Sequence, residues 1–353
     1  MVAAHAGRPG EDVSAVSSEH RGIAGPLQVP SRMLMGPGPS NAHPRVLAAQ
    51  TLPLLGHMHP SFFKIMDEIQ GGLRYLFQTS SPYTLCISGT GHAGMEAVIA
   101  NLLEPGDKIL VGNNGIWGER VSDMAARFRA EVVQLRAPAG RTFSTAELKA
   151  ALTQHRPAVL FLVQGESSTG AHQARARARG ALGDGLGEAC RAAGTLLVVD
   201  AVASLGGVPF LGDEWGVDAA YTGSQKCLSA PPGAAPLFLG ERALAKLRGR
   251  ASKPATYNLD LNLIGDYWGC TFFLMGPSKQ FSNMTSGGRW AASLVYVGAI
   301  VATLVIAFTV KGIPGGVLVI VMIVLQFIAA LWYCATYVPG GPELLAKCFG
   351  IKT

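Results

Sequence analysis

An α/β domain with a mostly parallel sheet and helices on both faces, followed by an all-α hairpin of two membrane-spanning helices, is the fold this sequence predicts. Three observations carry the prediction. Short apolar runs of strand length alternate with helical patterns from about residue 83 to residue 226; strands and helices in alternation mean a parallel sheet covered on both sides. Four consecutive apolar residues precede Asp200 in Leu196-Leu-Val-Val-Asp200, as in a central strand buried on both faces. Finally, residues 291–310 and 317–337 contain no charged side chain, and each stretch is long enough to cross a bilayer as a helix.

Composition agrees with two unlike parts. Of 353 residues, 49% are hydrophobic and only 15% charged, too apolar for an ordinary soluble domain. The excess sits in the last third, which places a boundary near residue 270. The net charge of +6 comes without a dense basic patch interleaved with aromatics, so no nucleic-acid site is read. Six cysteines, at 86, 190, 227, 270, 334 and 348, form no CxxC pair. That pattern speaks for reduced thiols in an intracellular compartment and against a zinc site or disulfide framework. Residues 1–30, rich in Ala, Gly, Ser and Pro, read as a disordered lead.

Order is expected to begin at Gly-Pro-Gly-Pro-Ser-Asn, residues 36–41, a stiff turn fixed by alternating Gly and Pro. Residues 61–77 carry Phe62, Ile65, Met66, Ile69, Leu73 and Leu76 at helical spacing, predicting an amphipathic helix. A short strand from about 83 leads into Ser-Gly-Thr-Gly-His, residues 88–92, and a helix to about 103. Glycines at such a turn let an anion approach backbone N–H groups at the helix N-terminus, with Thr90, Gly91 and His92 around it; a plain strand-to-helix turn has the same pattern. Strands follow at 108–111, 131–135 and 159–163. Trp117 falls in a strand-to-helix loop, where an indole could stack on a planar ring or simply fill a core. Ser144-Thr-Ala-Glu147 is a capping box that opens a helix to about 154.

Ligands in such sheets bind at the carboxyl ends of the strands, where Ser88 to His92, Trp117, Ser167, Asp200 and Lys226 all fall. An Asp ending a buried strand and a Lys after the small-residue turn Thr222-Gly-Ser-Gln-Lys226 suit a pyridoxal 5'-phosphate site. The lysine would hold the cofactor as a Schiff base and the Asp would keep its ring nitrogen protonated. Singly, the Asp reads as a loop or cap residue and the Lys as a surface charge.

With these words in place, residues 31–270 resemble the class V, fold-type-I aminotransferases of the alanine–glyoxylate (serine–pyruvate) type. The matching segments include Ile-Met-Asp-Glu-Ile (65–69), Leu-Glu-Pro-Gly-Asp (103–107), Gly-Ile-Trp-Gly (115–118), Gly-Glu-Ser-Ser-Thr-Gly (165–170), Gly-Ser-Gln-Lys (223–226) and Ala-Pro-Pro-Gly (230–233). The resemblance implies a PLP-binding large domain, small amino- and keto-acid substrates (alanine or serine, glyoxylate or pyruvate) and a homodimer. It implies Lys226 and Asp200 as catalytic residues. Thr90, Gly91, His92 and Gln225 would surround the cofactor phosphate, Trp117 would stack on its ring and Ser167 would lie near the ring hydroxyl. No metal is implied. In the family a small C-terminal domain supplies the arginine that binds the substrate carboxylate; no position here matches it. Residues 174–180, Ala-Arg-Ala-Arg-Ala-Arg-Gly, read as a basic insertion.

From about 272 to 350 the sequence is similar to the second half of the Sft-type vesicle transport proteins. Phe-Leu-Met-Gly-Pro-Ser-Lys-Gln (273–280), Arg289, Gln326, Trp332, Tyr333 and Tyr-Val-Pro-Gly (337–340) carry that likeness. With Lys279 and Arg289 before the hairpin and Lys347 and Lys352 after it, both termini are expected in the cytosol. This half would direct the chain to Golgi or endosomal membranes; the enzyme half would direct it to peroxisome or mitochondrion. Beside the reading as a membrane-tethered aminotransferase stand two others: a vesicle-transport membrane protein with an inactive cytosolic domain, and a chimeric gene product.

Overall fold

The computed structural model describes residues 28–173, 182, 184–269, 290–309 and 313–335. Of the two units of the chain, residues 1–34 and 35–353, the fold that follows is that of the second. Residues 1–27 of the expected 1–30 lead, the basic insertion at 174–180 and the loop charges around the hairpin lie outside the described residues.

Short helix α1 (Pro44–Ala49) and long helix α2 (Pro60–Phe77) precede the sheet. Then come β1 (Thr84–Gly89), α3 (Gly91–Leu102), β2 (Lys108–Asn113), α4 (Ile116–Arg127), β3 (Glu131–Arg136), α5 (Thr145–His155) and β4 (Val159–Val163). A two-residue ribbon, β5 (Gly165–Glu166) with β6 (Ala171–His172), leads to α6 (Leu186–Ala192), β7 (Leu196–Asp200), β8 (Ala219–Tyr221), β9 (Gly233–Leu239), α7 (Glu241–Arg248) and α8 (Leu261–Gly269). Two further helices follow, α9 (Trp290–Thr309) and α10 (Ile313–Ala335).

Seven strands form one sheet in the order β1-β9-β8-β7-β4-β2-β3. From β8 to β3 every pairing is parallel. Strand β9 alone runs the other way, antiparallel to both β1 and β8. The central strands are buried on both faces, and their side chains divide with the period of two that the pleat imposes. Val159, Phe161, Val163 and Val198 face a core shared with Met95, Val98 and Val121 of α3 and α4. Leu160, Leu162, Leu197 and Val199 face the opposite core, shared with Leu148 and Leu152 of α5 and Leu186 and Cys190 of α6. The expected mostly parallel sheet with helices on both faces is therefore present. The capping box forms as read: Ser144 Oγ accepts from the Glu147 N–H, and the Glu147 carboxylate accepts from the Ser144 N–H.

Helix α2 departs from its expected stripe. Phe63, Leu73 and Phe77 are its buried residues, whereas Ile65 and Ile69 stay 44% and 42% exposed. The sequence carries two adjacent phenylalanines, and the packing of Phe77 against Phe210 and Phe238 sets which helix face turns inward.

Helices α9 and α10 form where the two charge-free stretches were read. Gln326 of α10 donates to the Ala299 carbonyl at 3.0 Å and to Thr303 Oγ1 at 2.5 Å, joining the pair by polar bonds between otherwise apolar surfaces. Side chains of α10 are described over 318–329. Over the described residues no helix is long and apolar enough to cross a membrane, so the two expected helices are present but the expected membrane spans are not.

Candidate functional site

The site grows from the carboxyl ends of the parallel strands. Register places Asp200, the last residue of β7, beside Val163 on β4 and Tyr221 on β8. Asp200 shares the parity of Val198, so its side chain leaves the sheet on the face that Tyr221 also occupies. Tyr221 Oη accordingly donates to Asp200 Oδ2 at 2.6 Å, and the Val202 N–H donates to Oδ1 at 2.8 Å. Asp200 is 3% exposed. Burial pushes its carboxyl up to about 6, although the bonds from Tyr221 and Val202 favour the charged form. Burial, and after it the Asp200 charge, push the Tyr221 phenol the same way, so Tyr221 stays a donor at neutral pH.

Lys226 follows β8 in a loop pinned by the Gly-Pro segment. The Ser40 N–H donates to the Gln225 carbonyl at 2.8 Å, and Ser40 Oγ donates to the Lys226 carbonyl at 2.8 Å. Lys226 Nζ donates to the Pro37 carbonyl at 2.8 Å. Gly38, at φ +124°, passes so close to the lysine that a Cβ there would collide with its side chain. The stiff turn expected at 36–41 is thus a strap over the lysine loop. Beneath it lies a cavity of about 520 Å³, lined by Pro37, Ser40, Ser167, His172, Ser204 and Lys226 among others.

Trp117 enters at the start of α4. Its indole Nε1–H donates to Ser167 Oγ at 2.8 Å, which fixes the ring by its edge, and the His92 ring meets it edge-on with centroids 5.2 Å apart. Thr90 is the N-cap residue of α3 and makes no side-chain cap bond, so the helix opens on the N–H groups of Gly91 and His92. Gly91 is buried against Val202: an added Cβ would lie 2.8 Å from a Val202 methyl. A Cβ on Gly223 would lie 2.8 Å from Gln225 Oε1 and 3.3 Å from the Gly91 nitrogen. The absence of both side chains keeps space open between the α3 N-terminus and the Gln225 carboxamide. Gln225 Oε1 is buried with no hydrogen-bond partner among the described residues.

The eight residues singled out in the sequence therefore fall in two groups that meet at the sheet's edge. Lys226 and Ser167 line the cavity, and Trp117 is tied to it through Ser167. Asp200 lies below, near enough for the Lys226 charge to bear on its acidity. Gly91 and Gln225 meet at Gly223, and Thr90 caps the helix there; His92 lies against Trp117 and lines a separate pocket with Glu96 and Arg120; none of the four lines the cavity. Sequence reasoning missed Glu166, Tyr221 and Ser40. Tyr221 carried a usable signal, since a polar residue in register with Asp200 on a buried strand needs a partner. Ser40 and Glu166 carried none, because Ser40's partner and the Trp117 N–H that Glu166 holds are 185 and 49 residues distant in the chain.

Comparison with known proteins identifies relatives for both parts. The class-V aminotransferase family model matches residues 45–257, and the Got1/Sft2-like family model matches residues 267–339. Alanine–glyoxylate aminotransferase of Drosophila melanogaster is 53% identical over 245 residues, which is 69% of this chain and 60% of that protein. The Rattus norvegicus alanine–glyoxylate aminotransferase is 47% identical over 248 residues, 70% of this chain and 58% of its own. The chain thus spans about three-fifths of the length of these curated relatives. Among solved structures, alanine–glyoxylate aminotransferase from Nostoc sp. superposes with a TM-score of 0.69 at 44% identity, covering 82% of this chain and 77% of that one. Ureidoglycine–glyoxylate aminotransferase from Bacillus subtilis gives a TM-score of 0.66 at 32% identity, covering 79% and 73%.

Proposed function

The chain belongs to the class-V aminotransferase family, a family dependent on pyridoxal 5'-phosphate, and from that premise we propose that residues 31–270 bind this cofactor and move the amino group of alanine or serine to glyoxylate or pyruvate, while residues 271–353 tether the enzyme to a membrane. The observation that carries the proposal is the pairing of Asp200, buried at the end of β7 and held by Tyr221 and Val202, with Lys226 on the wall of the neighbouring cavity.

The residues fit the cofactor's chemistry. A buried carboxyl with a pKa near 6 is suited to share a proton with a pyridine nitrogen, since opposite charge brought to it offsets the cost of burial. The unpartnered Gln225 oxygen and the space kept by Gly91 and Gly223 suit a phosphate at the α3 N-terminus. Turning the amide over would present its NH2 group to the anion. In this reading Thr90, Gly91, His92 and Gln225 hold the phosphate, Trp117 covers the ring and Ser167 orients its hydroxyl.

Pyridoxal phosphate, when bound, supplies a ring that accepts the electrons released when the amino acid's Cα–H bond breaks. Lys226 Nζ would hold the cofactor covalently and, when free, would accept the substrate's Cα proton as general base. Its bond to the Pro37 carbonyl must break before it can do either. Asp200 would keep a proton at the ring nitrogen, and Tyr221 Oη, bonded to Oδ2, fixes the orientation of its carboxylate. Exposed apolar side chains at Leu54, Ile65 and Ile69 offer a surface to a second copy of the chain.

Got1/Sft2-like sequence over 267–339 favours a membrane location, and with it a role in vesicle transport as the second reading. In this reading both termini face the cytosol. An assay of the detergent-solubilised full chain with alanine and glyoxylate tests the enzyme reading: glycine and pyruvate should form together in the wild type and not in Lys226→Ala. No glycine from the wild type, with the protein saturated in pyridoxal phosphate, would leave the transport reading. Carbonate extraction of membranes tests the tether, which is refuted if the chain is released to the supernatant.

A further inference from the structure

Glu166 is a charged side chain buried in the wall of the cavity that Lys226 lines, and the mechanism above does not use it. It is 1% exposed. Its two oxygens are divided between loops that follow different strands. Oε1 accepts from the Ser168 N–H at 2.9 Å and from Ser168 Oγ at 2.6 Å, while Oε2 accepts from the Trp117 N–H at 3.1 Å. Ser168 Oγ in turn accepts from the Ile116 N–H at 3.0 Å. Among the described ion pairs none involves Glu166; its charge is met by N–H and O–H donors alone. Such an arrangement is costly to bury and useful only where both oxygens are occupied. Gly115 is shaped to it, since any Cβ at that position would collide with the Glu166 carboxylate.

We propose that Glu166 is a positioning residue: it locks the main chain of Trp117 to the loop after β4, so that the indole, held at its far edge by Ser167, has one orientation over the site. The two attachments are adjacent in sequence, Glu166 to the backbone and Ser167 to Nε1, and together they fix position and plane. The Glu166 charge also opposes ionisation of Asp200, which places both buried carboxylates in one electrostatic unit. The role of the indole rests on the reading of the site as a cofactor site; the locking of Trp117 does not.

Glu166→Gln is the discriminating substitution. The amide has one acceptor oxygen where the carboxylate has two, so an NH2 group must face either the Trp117 or the Ser168 N–H. The full chain in detergent is examined first without cofactor. The near-ultraviolet circular dichroism contributed by Trp117, isolated as wild type minus Trp117→Phe, should be largely lost in Glu166→Gln and only reduced in Ser168→Ala, which removes one donor. Pyridoxal phosphate binding should then weaken roughly tenfold or more in Glu166→Gln. An unchanged Trp117 signal in a folded Glu166→Gln protein overturns the proposal. A lost Trp117 signal with no cofactor binding even in the wild type keeps Glu166 as the lock and removes the cofactor reading instead. If Glu166→Gln fails to fold, Ser168→Ala decides: full retention of the Trp117 signal and cofactor affinity there counts against the proposal.

Discussion

Asp200 holds the balance of charge in this site, and its environment gives a measurable signature. The folded-state pKa is raised, from 3.8 to about 6, so the folded protein binds a proton more tightly than the unfolded chain does. The favourable contribution is complete below pH about 4, is lost as pH rises through about 6, and amounts to about 3 kcal/mol over that window. Chemical denaturation of the cofactor-free protein should therefore show Asp200-dependent stability falling between pH 4 and 6. In Asp200→Asn that component should vanish; an unchanged pH profile in the variant would contradict the burial argument. A bound cofactor carrying a ring N–H should flatten the same slope by pairing with the ionised form. At this scale the sequence was informative where a residue's role is local. Asp200 and Lys226 stand out because each ends a recognisable word, whereas the strap from Ser40 to the lysine loop joins residues 185 apart and leaves no trace in local pattern.

Elements explain why the site is held open. The turn from β1 into α3 works because Gly91 and Gly223 carry no side chain where the helix N-terminus, Val202 and Gln225 converge. Gly223→Ala should push on Gln225 and weaken pyridoxal phosphate binding with little change in fold stability, because the flexible carboxamide can give way. Gly91→Ala meets a β-branched valine instead and should cost about 1–3 kcal/mol as overpacking does, read from denaturant midpoints. Equal stability for Gly91→Ala and wild type would show that Val202 moves freely. The core strands were legible in the sequence because burial on both faces leaves continuous apolar runs. Helix α2 was legible as a helix but not in its facing: Phe62 and Phe63 are equally apolar, and long-range packing of Phe77 against Phe210 and Phe238 decides between them. Strand β9, reversed within the sheet, begins at Gly233 and contains Pro236, a composition that hides a strand. In the hairpin, Gln326 is the one polar tie between α9 and α10 that the described residues display. Gln326→Leu should loosen the pair by about 0.6–2 kcal/mol, measurable as a lowered midpoint in detergent-denaturant titration.

On the scale of the whole molecule, two families meet in one chain. The class-V aminotransferase match ends at residue 257 and the Got1/Sft2-like match begins at 267, a few residues before the change in composition near 270. That change was readable because two long charge-free runs stand out against the alternating strand and helix patterns before them. The cofactor was readable because so many ordered words agree. The account's central claim is that Lys226 is the residue that takes the cofactor covalently in this chain. Borohydride reduction of the detergent-purified full chain loaded with pyridoxal phosphate, followed by peptide mass mapping, tests it most directly. A single stable adduct on the peptide carrying Lys226, absent in Lys226→Ala and diminished in Asp200→Asn, is the predicted result; adducts scattered over surface lysines, undiminished by Lys226→Ala, would contradict it.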